Sequence, residues 1–424
     1  MPLNLASPGI RVREVDLTIG RIDPSSAKVG GLVAPFAQGP VELPTIVGSE
    51  KGLLDNFGKP YSNDKHYEHW LTASSYLAYG SQMRIVRADD DHLQNAFVGT
   101  GSSIKIKSIE HYEQLQYDDN VITGKTFVSK NPGSWADGIR IGIIDAKADQ
   151  VLTGIDTTGI NGGASNIAVG MGITQTLVGK TDIGAGTTTA LTGHLKGMIT
   201  EVGVGQISDK VLSQVDGATE TAKDYQEGGV FAFTNTGNVA IHTASTAASF
   251  GSTAYTARQD WFSQQTVAIS TSTVGGSTVT TTQPWNTVGD KPGTSQYAAD
   301  RGARFDEVHV VIIDGDGKVT GNAGTILEKH LNLSKATDAE YSAGSPSYWR
   351  SYLKTNSAFV FGGDEPSGTV DIGFAAGGFT PVTGGSWDKE AEGTIFKTIG
   401  KSNGVMEGGK NYDGGSTISG SGAL

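Results

Sequence analysis

The first 22 residues constrain the fold of this chain most, because they have the pattern of a strand with no nearby partner. Residues 7–17 read SPGIRVREVDL, in which apolar and charged side chains almost alternate. That period is typical of a strand with one apolar face. No hairpin partner follows at short range, so the backbone of this segment must pair with a distant strand or with a neighbouring subunit. We therefore predict an extended N-terminal arm that serves assembly. The residues assigned to strand addition are Ile10, Val12, Val15 and Leu17.

Composition favours a turn-rich protein with many strands. Gly accounts for 60 of the 424 residues, about twice its ordinary usage, and only 18% of residues are charged. The net charge of −12 opposes direct nucleic-acid binding, which needs a basic surface. The absence of Cys excludes disulfides, thiol nucleophiles and Cys-ligated metals. No window approaches the ~18 consecutive apolar residues of a membrane-spanning helix, so we expect no membrane insertion.

Residues 23–90 have the pattern of a compact α/β unit. Ser49 is the expected N-cap of a first helix, which Gly58 ends. Asn63 or Asp64 is expected to cap a second helix that Gly80 closes. The predicted strands cover residues 28–33, 45–47 and 83–87. The apolar face predicted for the second helix carries Tyr67, Trp70, Leu71, Ser74, Leu77 and Ala78.

The chain changes composition at about residue 96 and becomes rich in Gly, Thr, Ser and Val until residue 300. Short alternating runs separated by turn residues predict barrel-like or sandwich-like β structure there. The strands predicted from these runs are 103–107, 139–144 and 230–233. Residues 265–283 are low in complexity, which is typical of a loop or an exposed hairpin.

The α/β pattern returns near residue 305. We predict strands at 305–313 and 358–361, and helices at 326–333 and 347–356. The fold class expected is therefore α+β and multidomain, with a discontinuous α/β core domain that inserted β-rich domains interrupt. The predicted boundaries are an arm at 1–22, a core domain at 23–95 and 300–380, inserted β-rich domains at 96–185 and 186–299, and a Gly-rich tail at 381–424.

Two Gly-Lys-Thr triplets, at 124–126 and 179–181, are the strongest hint of nucleotide binding. Both lack the Gly that a phosphate loop needs five positions before its second Gly. The Asp-Gly-Asp-Gly-Lys segment at 314–318 lacks the Gly and Glu that a calcium-binding EF-hand requires, so a tight turn is the better interpretation. We therefore expect no cofactor.

Other catalytic and metal-binding patterns are incomplete. His66 and His69 lie three residues apart on a predicted helix, but no third metal ligand follows from the sequence. A Gly-x-Ser-x-Gly match at 400–404 has no later His, so a hydrolase triad is excluded and a Gly-rich turn is expected. Trp70, Trp135 and Trp349 fit core packing better than interface anchoring. We expect no catalytic residues, no metal site and no enzyme activity.

The order of several motifs resembles the tail sheath proteins of contractile-tailed, myovirus-type bacteriophages. The resemblance covers the arm and both parts of the predicted α/β domain, and residues 150–300 match only in general character. The motifs are SPG at 7–9, GLVAPFAQGP at 31–40, LLDNFG at 53–58, WLTASSYLAYG at 70–80, MRIVRA at 83–88, NPGSWADGIR at 131–140, DEVHVVIID at 306–314 and GTILEK at 324–329.

This resemblance implies a structural subunit of the virion that is made in the host cytoplasm. Such subunits polymerise into a helical sheath around the inner tail tube, between the baseplate and the tail terminator. Contraction drives the tube through the host envelope for genome ejection. The family implies arms that add strands to neighbouring subunits, and inserted β-rich domains that face outward. It also implies a C-terminal α/β domain with its own arm, which we expect this chain to lack.

Two other functions fit parts of the sequence. A sheath subunit of a bacterial contractile injection system or phage-tail-like particle would carry the same motifs. A glycan-binding, β-rich adhesin is suggested by the Gly/Thr-rich middle of the chain. Residues 7–88 would have no role in an adhesin, which makes it the weaker alternative.

Overall fold

The fold is that of a computed structural model of the chain. It describes residues 29–60, 67–80, 82–117, 122–153, 167, 169, 172–184, 187–216, 219–234, 239–242, 247–250, 258–301, 303–364 and 399–413. The chain divides into two compact units, of which the first ends at Asp89 and the second begins at Asp90. Both contain strands and helices, and strands dominate, so the α+β class is confirmed. The grouping of 23–95 with 300–380 in one discontinuous domain stays a prediction.

The first unit is a three-stranded sheet with two helices. Its elements are β1 (Val29–Ala34), β2 (Thr45–Val47), α1 (Glu50–Phe57), α2 (Tyr67–Tyr79) and β3 (Gln82–Arg87). The strand order is β1-β3-β2, with β1 parallel and β2 antiparallel to β3. The strand–helix–helix–strand order predicted from the sequence is confirmed.

Local signals in the sequence explain where α1 begins and ends. The Ser49 hydroxyl accepts a hydrogen bond from the Gly52 amide at 3.1 Å, which satisfies one of the free N–H groups of the first turn. Gly58 follows the helix with φ 75°, a conformation that favours glycine, and its amide donates to Leu54 O at 2.9 Å. Both predicted caps of this helix are therefore confirmed.

The second helix buries a narrower face than the sequence suggested. Trp70, Ala73 and Leu77 are buried in the core of this unit, whereas Leu71 is 47% exposed. The prediction that Tyr67, Leu71 and Ala78 belong to the buried face is therefore wrong, since all three are exposed. Leu71 lies about 100° of helical rotation from Trp70, on the side turned away from the sheet. The predicted caps Asn63 and Asp64 lie outside the described residues.

In its described residues, the second unit contains many strands and three short α-helices. Its elements are β4 (Phe97–Gly99), α3 (Ile109–Gln114), β5 (Lys125–Ser129), β6 (Ile139–Asp145), β7 (Gln150–Thr153), β8 (Gly172–Thr176), β9 (Thr181–Gly184), β10 (Thr187–Ala190), β11 (His194–Gly203), β12 (Gln206–Asp216), β13 (Thr219–Ala222), β14 (Val239–His242), β15 (Ala247–Phe250), β16 (Arg258–Asp260), β17 (Thr266–Val274), β18 (Ser277–Pro284), α4 (Gln296–Ala299), β19 (Glu307–Asp314), β20 (Thr325–Ser334), β21 (Glu340–Ser342), β22 (Ser345–Pro346), α5 (Trp349–Asn356), β23 (Val360–Gly362) and β24 (Lys401–Val405).

A four-stranded antiparallel sheet, which we call the central sheet, lies in this unit with strand order β20-β19-β6-β24. Its middle strand β19 is apolar on both sides. Val310 and Ile312 belong to one hydrophobic cluster, and Val311 and Ile313 belong to another. Because both faces of the sheet are covered, the strand reads as a continuous apolar run, as the sequence predicted.

A second, larger sheet carries most of the Gly/Thr-rich part of the chain, and we call it the β-rich sheet. Its order is β15-β14-β8-β11-β12-β7-β16, and β13 also pairs with β12. Leu195, Ile199 and Val211 lie in its hydrophobic core together with Phe231 and Phe233. The β-rich character predicted for the middle of the chain is thereby confirmed.

Three segments differ from their predicted secondary structure. The helix predicted at 326–333 is strand β20, which pairs with β19. Residues 103–107 and 230–233 were expected as strands, but both lie in irregular segments. The helix predicted at 347–356 and the strand at 358–361 are present, as α5 and β23. No helix in the described parts of the chain has the length and apolar character needed to cross a membrane.

Candidate assembly surfaces

The residues assigned to strand addition, Ile10, Val12, Val15 and Leu17, lie outside the described residues. Their pairing therefore stays a prediction. The described part of the chain shows instead which surfaces could take part in assembly. Two surfaces, a projecting hairpin and an open sheet face, combine exposure with an uncharged or apolar character.

The motifs considered for chemistry occupy structural positions. Lys125 of the first Gly-Lys-Thr triplet begins β5 and is buried, with its ammonium group 4.8 Å from the centre of the Phe97 ring. Asp314 closes its own loop, since its carboxylate accepts from Thr320 N at 2.6 Å and Oγ1 at 2.7 Å. Ser402 of the Gly-x-Ser-x-Gly match lies in β24, so the predicted turn there is wrong.

The residues considered for metal binding and the three tryptophans also occupy structural positions. Among the described residues, no group of three or more His, Asp or Glu side chains is arranged to hold a metal ion. His69 is half-buried on α2, and His66 lies outside the described residues. Trp70 and Trp349 are buried in hydrophobic cores, and Trp135 is partly buried against the same core as Trp349. The prediction that these tryptophans pack in cores is confirmed.

The first candidate surface is the hairpin of β17 and β18, which we call the projecting hairpin. Its strands pair antiparallel up to Val274 and Ser277, and the turn consists of Gly275 and Gly276. Both glycines have positive φ, 58° and 82°, as a two-residue type I′ turn requires. Every residue from 271 to 282 is exposed. Neither strand pairs with any other strand that the structure describes.

The projecting hairpin carries no charge. Between Asp260 and Asp290 the sequence contains no Asp, Glu, Lys or Arg. Proteins usually protect free strand edges with charged side chains or proline, which prevent pairing with another chain. The exposed half of this hairpin, residues 271–282, contains neither. Its free edges are therefore suited to pair with a strand from elsewhere.

The base of the hairpin is held against the central sheet. Val267 is buried, and Ile269 packs on the same cluster as Trp285. Gly142 of β6 permits this approach, because a Cβ at that position would lie 2.5 Å from Val267 Cγ2 and 3.0 Å from Trp285 Cζ2. The side chain of Arg140 also donates to Thr271 Oγ1. A rigid base positions a hairpin whose outer half is free.

The second candidate surface lies in the first unit, on the side of its sheet that faces away from α1 and α2. We call it the open sheet face. Gly30 of β1 points at the helices, because a Cβ there would lie 2.7 Å from Tyr76 Cζ. Residues one position along the strand therefore point to the opposite side. The open sheet face consists of Val29, Gly31, Val33, Ile46, Gln82, Arg84 and Val86.

A network of buried charges lies where the central sheet and the β-rich sheet meet. The Asp145 carboxylate accepts from Lys335 Nζ at 2.9 Å, from Ile399 N at 2.7 Å and from Gly400 N at 2.9 Å. Asp145 is fully buried. A single side chain therefore joins the end of β6 to the segments that flank β20 and β24.

A second group of charges continues this junction into the β-rich sheet. Asp149 accepts from Lys291 Nζ at 2.6 Å and from Val211 N at 2.9 Å. Burial opposes the charge of Asp149, but Lys210 and Lys291 outweigh it and lower the pKa of that carboxyl. Burial lowers the pKa of Lys210 to about 8. The Lys210 ammonium lies 3.7 Å from the centre of the Phe305 ring and donates to Ala146 O.

Asp209 differs from the other two buried carboxylates of this junction, which are both paired with lysines. It is fully buried, and neither carboxylate oxygen has a hydrogen-bond partner among the described residues. Burial, and then the charge of Asp149, raise the pKa of Asp209 well above its usual range. No pattern in the sequence indicated these buried groups, because Asp and Lys are ordinarily exposed. Sequence reasoning also missed the open sheet face, because β1 carries only apolar residues and glycine on both of its sides.

Uncharged projecting edges and an uncovered apolar sheet face are typical of a protein that assembles with other chains. Part of this chain is similar to two proteins named tail sheath protein. It is 38% identical over 97 residues to the tail sheath protein of Vibrio phage KVP40, and 31% identical over 88 residues to the tail sheath protein of Enterobacteria phage T4. These matches confirm the resemblance to tail sheath proteins for that part of the chain.

The matched stretches are short. They cover 22% and 21% of this chain, and only 14% and 13% of the length of the two relatives. No protein-family model matches the chain. A sheath tail protein from Listeria innocua aligns with 48% of this chain and 33% of its own length, at 10% identity. Its TM-score of 0.18 is too low to bear on the fold.

Proposed function

We propose that this chain is a structural subunit of a contractile phage tail sheath. The observation that carries the proposal is the 38% identity over 97 residues to the tail sheath protein of a Vibrio phage. In this role the chain polymerises with other copies around an inner tail tube. Contraction then drives the tube through the host envelope for genome delivery, and no enzymatic step is needed.

The proposed partners are other copies of the chain, the inner tail tube protein, and the baseplate and tail terminator proteins. The proposed location is the virion tail, after synthesis in the host cytoplasm. The proposed architecture keeps the arm at 1–22, the α/β domain at 23–95 and 300–380, the outward-facing β-rich insertions at 96–185 and 186–299, and the tail at 381–424.

Physical chemistry explains how such a subunit could hold an array together. An open helical array uses head-to-tail contacts that do not close into a ring. Strand addition supplies main-chain hydrogen bonds between copies. In this proposal Ile10, Val12, Val15 and Leu17 form the apolar side of the added strand. The uncharged edges of β17 and β18 supply a further contact between copies, because no charge on them opposes pairing.

Electron microscopy of intact particles tests the proposal directly. An antibody raised against the exposed turn between β11 and β12, which carries Val204, would be coupled to gold and applied to extended and contracted tails. We expect regular labelling along the whole tail in both states, with closer spacing after contraction. Labelling of headless particles alone would favour the injection-system alternative. Labelling confined to the tail tip would favour an adhesin, and particles without label would overturn the proposal.

A further inference from the structure

We propose that the open sheet face of one copy packs on the outer side of helix α2 of the next copy. The inference rests on the proposed function, since it names one contact within the array. It concerns only the first unit and does not involve the arm or the projecting hairpin. The contact is head-to-tail, because two different surfaces of the same unit meet.

The open sheet face is apolar where it is most exposed. Val33 is 64% exposed and Ile46 is 58% exposed, although both are β-branched residues of regular strands. Val86 is half-buried beside Val33, its partner in the register of β1 and β3. Gly31 leaves open space above the sheet, because a Cβ there would meet no atom within 4 Å. The position of Gly31 therefore leaves room for side chains of a partner.

The topology of the sheet gives a reason to expect a cover. β1 and β3 run parallel. Sheets whose strands are all parallel almost always have both faces covered, usually by helices, and β1 and β3 form such a parallel pair within this mixed sheet. In this unit α1 and α2 cover one face. A helix from another copy on the open sheet face would complete the usual three-layer arrangement.

The outer side of α2 has matching properties. Leu71 is exposed, and Tyr79 is 97% exposed at the end of the helix. Glu68 lies one helical turn before Leu71 on the same side. Among the described residues, neither Leu71 nor Tyr79 belongs to the hydrophobic core of the first unit. A partner that buries these side chains removes their apolar surface from water, which lowers the free energy of the complex.

Charge complementarity identifies a second copy as the occupant. Arg84 lies at the centre of the open sheet face, between Gly31 and Ile46 in the register of the three strands. Its side chain is exposed and makes no ion pair among the described residues, and the same holds for Glu68 on α2. One surface thus presents apolar residues around a cation, and the other presents apolar residues beside an anion.

Two different complementary surfaces on one unit give a contact that repeats without closing, unless the rotation between copies forms a ring. That is the kind of contact a helical array uses. Packing one open sheet face against another would instead place two Arg84 side chains together. The charge pattern therefore favours the head-to-tail arrangement over a two-fold one.

Engineered cysteines test this contact in the full chain, which contains no native Cys. V33C and L71C would be purified separately, mixed in equal amounts and oxidised. V204C is the control, because Val204 is an exposed residue of the turn between β11 and β12. We expect V33C–L71C dimers to exceed V33C–V204C dimers about tenfold, which corresponds to a contact worth roughly 1.4 kcal/mol.

Equal yields of the two dimers would overturn the inference. A predominance of V33C–V33C dimers would also overturn it and indicate a two-fold contact. If V33C resists a maleimide until residues 1–28 are deleted, the chain's own N-terminal segment covers the face and the inference is wrong. Circular dichroism of each variant would establish that it is folded.

Exchanging the charges of Arg84 and Glu68 distinguishes the proposed contact from non-specific hydrophobic association. R84E in the V33C copy should reduce the cross-linked dimer about tenfold, since an exposed attraction becomes a repulsion. E68R in the L71C copy should restore it. A failure of E68R to restore the dimer would contradict the pairing of Arg84 with Glu68.

The outcomes for this contact and for the proposed function are distinguishable. If gold labels the tail but no V33C–L71C dimer forms, only the contact is wrong. If the dimer forms but particles carry no label, the sheath assignment is wrong and the self-association remains.

Discussion

At the scale of single residues, buried carboxylates determine how the sheets of the second unit are joined. Asp145 accepts three hydrogen bonds from Lys335, Ile399 and Gly400, which belong to segments far apart in the sequence. Removing the carboxylate takes this acceptor away from all three donors. A buried ion pair of this kind contributes little net stability over an apolar replacement, but breaking one partner of it is costly.

Asp145→Ala should therefore destabilise the second unit strongly. We expect a loss of about 3–5 kcal/mol, because the change removes one partner of a buried ion pair and two acceptors of buried backbone N–H groups. Urea unfolding followed by tryptophan fluorescence would measure it. Asp55→Ala is the matched control, since Asp55 pairs with Lys51 on an exposed helix surface and its removal should cost less than about 1 kcal/mol. Equal losses in the two variants would contradict this assignment.

Asp209 gives the chain a predictable pH dependence. Burial raises the pKa of its carboxyl, so the folded state favours the neutral acid. The stability that this preference contributes is fully present below about pH 4, the pKa of an Asp in an unfolded chain. It is lost as the pH rises through the raised pKa of the folded state.

Asp209→Asn should remove that loss, because an amide cannot ionise. We expect the variant to match the natural chain near pH 4, and to be more stable by about 1–3 kcal/mol at pH 8 or above. Thermal melting across this pH range would measure the difference. Asp149→Asn, which removes a paired carboxylate, should lower the melting temperature at pH 8. A lower melting temperature of Asp209→Asn at pH 8 would refute the explanation.

At the scale of helices and strands, sequence patterns correctly predicted the elements that have strong local signals. Helix α1 has a Ser cap and a Gly stop, and β19 is a continuous apolar run, so both were found. Strand β20 was mistaken for a helix. Its register against β19 shifts between Val308 and Val310 and again between Ile312 and Ile313. These irregularities interrupt the two-residue period on which strand prediction depends.

The prediction of a strand at 230–233 is wrong for a different reason. It alternates like a strand, but its partners are side chains. Gln150 donates to Phe233 O at 3.2 Å and accepts from Phe233 N at 2.8 Å, so its amide takes the place of a neighbouring strand. Such a long-range side-chain contact leaves no periodic signal in the sequence.

The projecting hairpin yields a prediction about assembly. Val274→Lys together with Val279→Lys places charges on its free edges, which opposes pairing with another strand. We expect about tenfold lower incorporation into tails, the effect of a contact weakened by roughly 1.4 kcal/mol. Quantitative mass spectrometry of purified particles would measure incorporation. The control is Val204→Lys in another exposed turn, which should incorporate normally. Normal incorporation of the double variant would exclude the hairpin from the contacts between copies.

At the scale of the whole molecule, the sequence resemblance indicated the class of protein but only part of the surface that could assemble. The predicted strand-adding residues lie in the arm, outside the described residues. The open sheet face emerged only from the register of the strands, whereas an exposed hairpin was one of the two structures predicted for residues 265–283. Exposure depends on which side of a sheet the helices cover, and a sequence pattern cannot determine that when both sides carry Val and Ile.

The arm provides the last prediction, which concerns assembly as a whole. Deleting residues 1–20 from a full-length version of the chain should abolish sheath formation and leave the folded units intact. The physical reason is that strand addition depends on main-chain hydrogen bonds, which another surface of the subunit cannot replace. Electron microscopy would score sheath formation, and circular dichroism with thermal melting would establish folding. A matched variant with Ile10, Val12, Val15 and Leu17 changed to Ser keeps the length of the arm and should assemble as poorly. Contractile sheaths of normal length from either variant would mean that contacts outside the arm hold neighbouring subunits together.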